Sequence, residues 1–138
     1  MIAQEFKKSP VAAGAAAGEF PLIDELMDED LAPDLSPSKY IKVMKIDLAT
    51  FAQNARVHRN TVTRAPSAPS VQKYLRDNVR VICAAWTAAG RNMARAITWY
   101  RNEPLPAFDF KTAEQLVAEG RVDDVVHYIE SLEAGSAG

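Results

Sequence analysis

A chain of 138 residues, 48% hydrophobic and 25% charged, holds enough apolar material for one globular domain or two very small ones. Its apolar runs are too short to cross a bilayer, and its single cysteine, Cys83, excludes an internal disulfide and a cysteine-based metal site. The formal net charge of −2 conceals a strong segregation. From Lys39 to Arg101 there are twelve Lys and Arg against two acids, Asp47 and Asp77. Glu19 to Asp34 carries seven acids and no base, and Thr112 onward six acids and one base, Arg121. A basic middle attracts phosphate by counterion release, although it also suits plain solvated helix faces. Acidic ends suit a basic protein partner or water.

Met1 to Gly18 is Ala/Gly-rich and unpatterned. It lacks a signal-peptide cleavage pattern and reads as a flexible tail, and the expected compartment is the cytoplasm. Between Phe20 and Leu35 the spacing of Leu22, Ile23, Leu26 and Met27 predicts a short amphipathic helix. It could dock on its own domain, on a second copy or on a basic partner. Ser36-Pro37 is a helix start, a capping hydroxyl followed by proline in the first turn. That helix should run to about Lys45 with Tyr40, Ile41 and Met44 on one side. Asp47 should cap a short helix from Leu48 to Asn54, and a third should span Arg59 to Arg64 before Pro66.

Pro66, Ser67, Pro69 and Ser70 predict a stiff break. The longest helix should run from about Val71 to Ala89, with Val71, Tyr74, Leu75, Val79, Ile82, Cys83 and Trp86 on its apolar face and Gly90 as its stop. Asn92 should cap a helix that carries Met93, Ala96, Ile97 and Tyr100 and ends before Pro104. Thr112 and Gln115 have capping-box spacing, and Gly120 should close that short helix. A final helix is expected from about Val122 to Leu132, with Asp123 and Asp124 in its first turn and Gly135 to Gly138 as a free end. No stretch alternates like a strand, so the expected class is all-α.

Leu48 to Arg64, LATFAQNARVHRNTVTR, has the form of a helix-turn-helix. Ala52 is the small residue that lets two helices cross closely, and Val57 and Val62 anchor the second helix. The expected DNA-facing side chains are His58, Arg59, Asn60, Thr61, Thr63 and Arg64. Arg and Asn can read guanine and adenine edges, and the threonines can meet phosphates. The turn requires a left-handed residue, usually glycine, and here that residue is Arg56.

From Trp99 onward the chain resembles the toxin-binding domain of Xre/MbcA/ParS antitoxins. The resemblance rests on Trp99, Asn102, Pro104, Leu105, Pro106, Ala107, Phe108, Thr112, Leu116, Val117, Gly120, Val125 and Ile129. In the middle of the chain it rests on VHRNTV, then Arg64, Pro66, Ser67, Val71, Gln72 and Leu75. Phe108-Asp109-Phe110 departs from a loop that usually contains glycine in that family. The resemblance implies an antitoxin whose partner is a RES-domain, NAD-consuming toxin. Its C-terminal region would cover the toxin's active site, and the pair would repress its own promoter. Val122, Val125, Val126 and Ile129 are expected to be ordinary core. The expected toxin contacts are Tyr128, Leu132, Glu130 and Glu133, the acids meeting basic residues that would otherwise hold phosphates.

The expected organisation is residues 1–35 as a tail with a possible short helix, 36–90 as the DNA-binding part and 91–138 as the toxin-binding domain. His58 and His127 do not form a metal pair, no phosphate loop follows a strand, and a thiol on the apolar face of a long helix is inert. No enzymatic activity, cofactor or metal is expected. A homodimer that enters a larger complex with the toxin is expected, because palindromic operators mirror protein two-fold symmetry. A stand-alone helix-turn-helix regulator and a DNA-independent interaction module are the alternatives.

Overall fold

The computed structural model describes residues 20–137; the expected tail, Met1 to Gly18, and the last residue, Gly138, lie outside the described residues. Among the described residues the chain forms eight α-helices, one short 3-10 turn and no strand. The chain divides into two compact units at Val79/Arg80, inside its longest helix, whereas Gly90 follows the end of that helix.

The first unit opens with α1, Pro21–Leu26, which has proline in its first turn and buries Leu22 and Leu26. Phe20, just before it, is also buried. Of the possible docking sites for this helix, the chain uses its own domain. The Ser36 amide donates to the Leu26 carbonyl at 2.9 Å, and Met27 and Leu35 pair through an isolated bridge, which closes the acidic loop on itself.

Helix α2, Pro37–Met44, starts where Ser36 Oγ accepts the Lys39 amide, and it ends on left-handed Lys45. Helix α3, Leu48–Ala55, is capped by the Asp47 carboxylate, which accepts the Thr50 amide at 2.7 Å. Helix α4 is Arg59–Arg64. Helix α5, Pro69–Ala88, begins two residues before Val71. Proline has the φ of a first helical turn and lacks only an N–H that would be unpaired there, so the stiff break contracts to residues 65–68.

Tyr40, Phe51 and Tyr74 form an edge-to-face row through this core, with centroid separations of 5.8 and 5.2 Å. Each fully buried aromatic ring contributes about 1.5–3 kcal/mol through burial, and such ring pairs add about 0.5–1.5 kcal/mol. Gln72, only 2% exposed, lies on α5 beside them. Its amide nitrogen donates to the carbonyls of Leu35 and Pro66, each at 2.8 Å, and its oxygen accepts the Leu35 amide at 2.9 Å. A buried polar side chain is tolerated here because its hydrogen-bonding capacity is used on backbone that would otherwise lack partners.

In the second unit, the distal part of α5 buries Val81, Ile82, Ala85, Trp86 and Ala88. Gly90 and Arg91 both have positive φ, and the Arg91 amide donates to the Trp86 carbonyl at 2.8 Å, which terminates the helix. Helix α6, Met93–Asn102, is capped by Asn92 and buries Ala96, Trp99 and Tyr100. A 3-10 turn, Pro106–Phe108, follows. Helix α7, Ala113–Ala118, has a complete Thr112/Gln115 capping box. At Gly120, φ is +84° while an added Cβ would meet nothing within 4 Å, so backbone angle rather than crowding calls for glycine.

Helix α8, Val122–Ala137, runs past Leu132 and takes Gly135 into the helix rather than leaving it in a free end. No proline interrupts this stretch, and Glu133, Ala134 and Ala137 favour helix. Half-buried Val57, Val79 and Cys83 are less enclosed than their apolar spacing suggests.

Replacing Gln72 by leucine keeps the bulk and removes all three hydrogen bonds. We expect a loss of about 2–3 kcal/mol in urea unfolding, because buried backbone groups lose their partners. A change below about 0.5 kcal/mol would show that water replaces the amide at no cost.

Candidate functional site

The segment expected to form a helix-turn-helix begins with α3 and turns at its end. Arg56 takes φ 61° and ψ 42°, the left-handed conformation that the turn requires. A side chain there costs about 1 kcal/mol or more relative to glycine. The Val57 amide then donates to the Ala52 carbonyl at 3.0 Å, and buried Ala52 is the small contact residue on α3. His58, extended and exposed, precedes α4 without a side-chain capping bond.

Val62, 3% exposed, pins α4 to the core. Helical geometry then turns Arg59, Asn60, Thr63 and Arg64 into solvent, while Thr61 is half-buried. Five of the six expected DNA-facing side chains are thus exposed together at one short helix and its N-cap. Thr63 is partly committed, because its hydroxyl donates back to the carbonyl of Asn60 at 3.2 Å or Arg59 at 3.4 Å.

The charges near α4 are distributed unevenly. The Asp47 carboxyl is held below its ordinary range, first by the backbone N–H of Thr50, then by the Thr50 hydroxyl and by the charge of Arg59. Among the described residues neither Arg59 nor Arg64 is locked in an ion pair. Other members of the basic middle are engaged: Lys73 with Asp77 at 2.6 Å, Arg80 with Asp123 at 2.6 Å and Arg101 with Glu114 at 3.6 Å. The basic block seen in the sequence therefore overstates the charge available to a polyanion.

The expected partner contacts lie on α8. Tyr128 and Leu132 are one turn apart and half-buried, Glu133 is half-buried, and Glu130 is exposed. The Tyr128 ring meets Phe108 edge-on at 5.5 Å, and the Arg121 guanidinium lies 5.1 Å from the Phe108 centroid. Burial and then the charge of Glu103 push the Tyr128 phenol up. Burial and then Glu130 push the Glu133 carboxyl up. Val122, Val125, Val126 and Ile129 are core, as their spacing implies.

Phe108, Arg121 and Glu103 belong to this cluster but are not legible as such from the sequence. Phe108 and Phe110, two aromatic residues flanking Asp109 in a turn, are the one available signal. Among the described residues no group of three His, Cys, Asp or Glu side chains could hold a metal ion. Burial raises the pKa of the Cys83 thiol, which disfavours the nucleophilic thiolate. No known family model, curated protein or solved structure matches the chain.

A carboxyl whose pKa is raised in the fold costs stability when ionised, a cost that appears as pH rises through its folded pKa and vanishes as pH falls back. Glu133→Gln should therefore melt at or above the parent temperature at pH 7. The difference should close as pH is lowered to the ordinary glutamate range. A lower melting temperature at pH 7 would mean that the ionised carboxylate is stabilised by a partner inside the chain.

Proposed function

We propose that this protein is an antitoxin of the Xre/MbcA/ParS kind. It binds promoter DNA through α4 and covers the active site of a RES-type, NAD-consuming toxin with its C-terminal region, acting as a cytoplasmic, non-catalytic homodimer within a larger complex. The observation that carries the reading is the pair α3–α4. A left-handed Arg56 separates two short helices, and Val62 anchors the second so that Arg59, Asn60 and Arg64 face solvent. That arrangement suits a helix lying in the major groove, with side chains that match base edges and phosphate.

The toxin-directed half is supported by the resemblance that starts at Trp99. Several residues that carry it have clear structural work here: Trp99 in the core, Thr112 in a capping box, Gly120 at positive φ, and Val125 and Ile129 buried. It is also supported by the acids of α8, whose charge opposes that of a cleft built to hold an anionic dinucleotide.

The DNA half is tested by Arg59→Ala with Arg64→Ala. Loss of two phosphate neutralisations should weaken binding at low salt and lower the slope of log affinity against log salt by roughly 1.8. An unchanged slope removes α4 from the DNA interface. The toxin half is tested by co-expression with the product of the adjoining gene. The full chain should restore growth, whereas a chain ending at Ser131, which keeps Ile129 and drops Leu132 and Glu133, should remain folded and fail to do so. Growth restored equally by both chains would leave the end of α8 without a capping role.

A further inference from the structure

The turn between α6 and α7 carries a contradiction of its own. Asp109 and Phe110 are consecutive left-handed residues, with φ 57° and 65°, and positive φ is unusual for a bulky side chain. Phe110 is also 67% exposed, well above Met27 at 40%, the other exposed large apolar side chain among the described residues. Backbone strain and ring hydration therefore fall on the same residue.

This strained segment is well fixed. The Leu105 carbonyl accepts the amides of both Phe108 and Phe110 at 2.9 Å, and the Leu105 amide donates to the Lys111 carbonyl at 3.0 Å. The Phe108 ring contacts both Tyr128 and the Arg121 guanidinium, and Lys111 is tied to Glu119 at 2.8 Å. The ring of Phe110 is thus displayed from a braced knuckle, the situation in which an aromatic side chain binds with little ordering cost.

Charge says what kind of surface it fits. From Asn102 to the end the chain has eight acids and two bases, Lys111 and Arg121. Both bases are already paired, with Glu119 and Asp124. We propose that Phe110 is an anchor that enters an apolar pocket on a protein partner whose rim is basic. The proposal rests on the antitoxin reading and takes the toxin as that partner. It adds a contact residue that lies outside α8.

The test is calorimetric titration of the full-length chain against the purified product of the adjoining gene. The parent chain, Phe110→Ala, Phe110→Leu, Phe110→Asn and Met27→Ala are compared. Met27→Ala truncates the other exposed apolar side chain and should bind like the parent. Phe110→Ala should bind at least about 30-fold more weakly, the loss typical of a buried aromatic anchor, and Phe110→Leu should recover most of it. Phe110→Asn, whose side chain tolerates left-handed backbone, should also lose binding while melting no lower than the parent, which separates anchoring from folding. Binding within threefold of the parent in Phe110→Ala and Phe110→Asn overturns the anchor and leaves the antitoxin reading standing. Failure of the parent chain to bind overturns the antitoxin reading and the anchor with it.

Discussion

The first unit depends on one side-chain amide. Gln72 joins Leu35, just before α2, to Pro66, just after α4, so both ends of the segment α2–α4 are fastened to the same point on α5. An amide suits this role because it donates and accepts like the backbone it replaces. Burial strengthens the arrangement in both senses: the bonds are shielded from water, and leaving any of them unmade is costly. The short helices between those ends could not hold position by intrinsic propensity, since isolated helices of this length are marginal.

Against that fixed frame, the exposed residues of α4 acquire meaning. Val62 and the row Tyr40–Phe51–Tyr74 decide which side of the unit is closed. What remains open on α4 is a stripe of Arg59, Asn60 and Arg64, exposed and with neither arginine in an ion pair among the described residues. The second unit makes the opposite use of its cations. Arg80 and Arg101 pair with acids of α8 and α7, leaving the carboxylates of the last helix in excess.

Four of the helix starts are the most legible feature of the sequence, because each is a local side-chain hydrogen bond. Ser36, Asp47, Asn92 and Thr112 all cap as their residue types imply. Arg56 shows a subtler legibility: the turn demanded a left-handed residue, and the chain supplies one there without glycine. Features made by distant residues were hidden. Nothing in the spacing of Gln72 shows that it will meet Leu35, and nothing in the Phe108 neighbourhood shows that Tyr128 will meet it edge-on. A charge count is blind to pairing, since a bridge such as Arg80 with Asp123 is a property of the fold rather than of composition. The helical course of α8 beyond Leu132 is hidden in the sequence because a run of Gly, Ser and Ala looks terminal, although no residue in it forbids helix.

That continuation has a consequence for the acids it carries. Asp123 and Asp124 lie at the positive end of the α8 macrodipole, where anions are favoured, but Glu130 and Glu133 lie towards its negative end, and the last turn has no cation. The terminal turns are therefore electrostatically incomplete. A lysine or arginine approaching Glu130 and Glu133 would offset both their mutual repulsion and their unfavourable place in the dipole, and that gain would shrink as salt is raised.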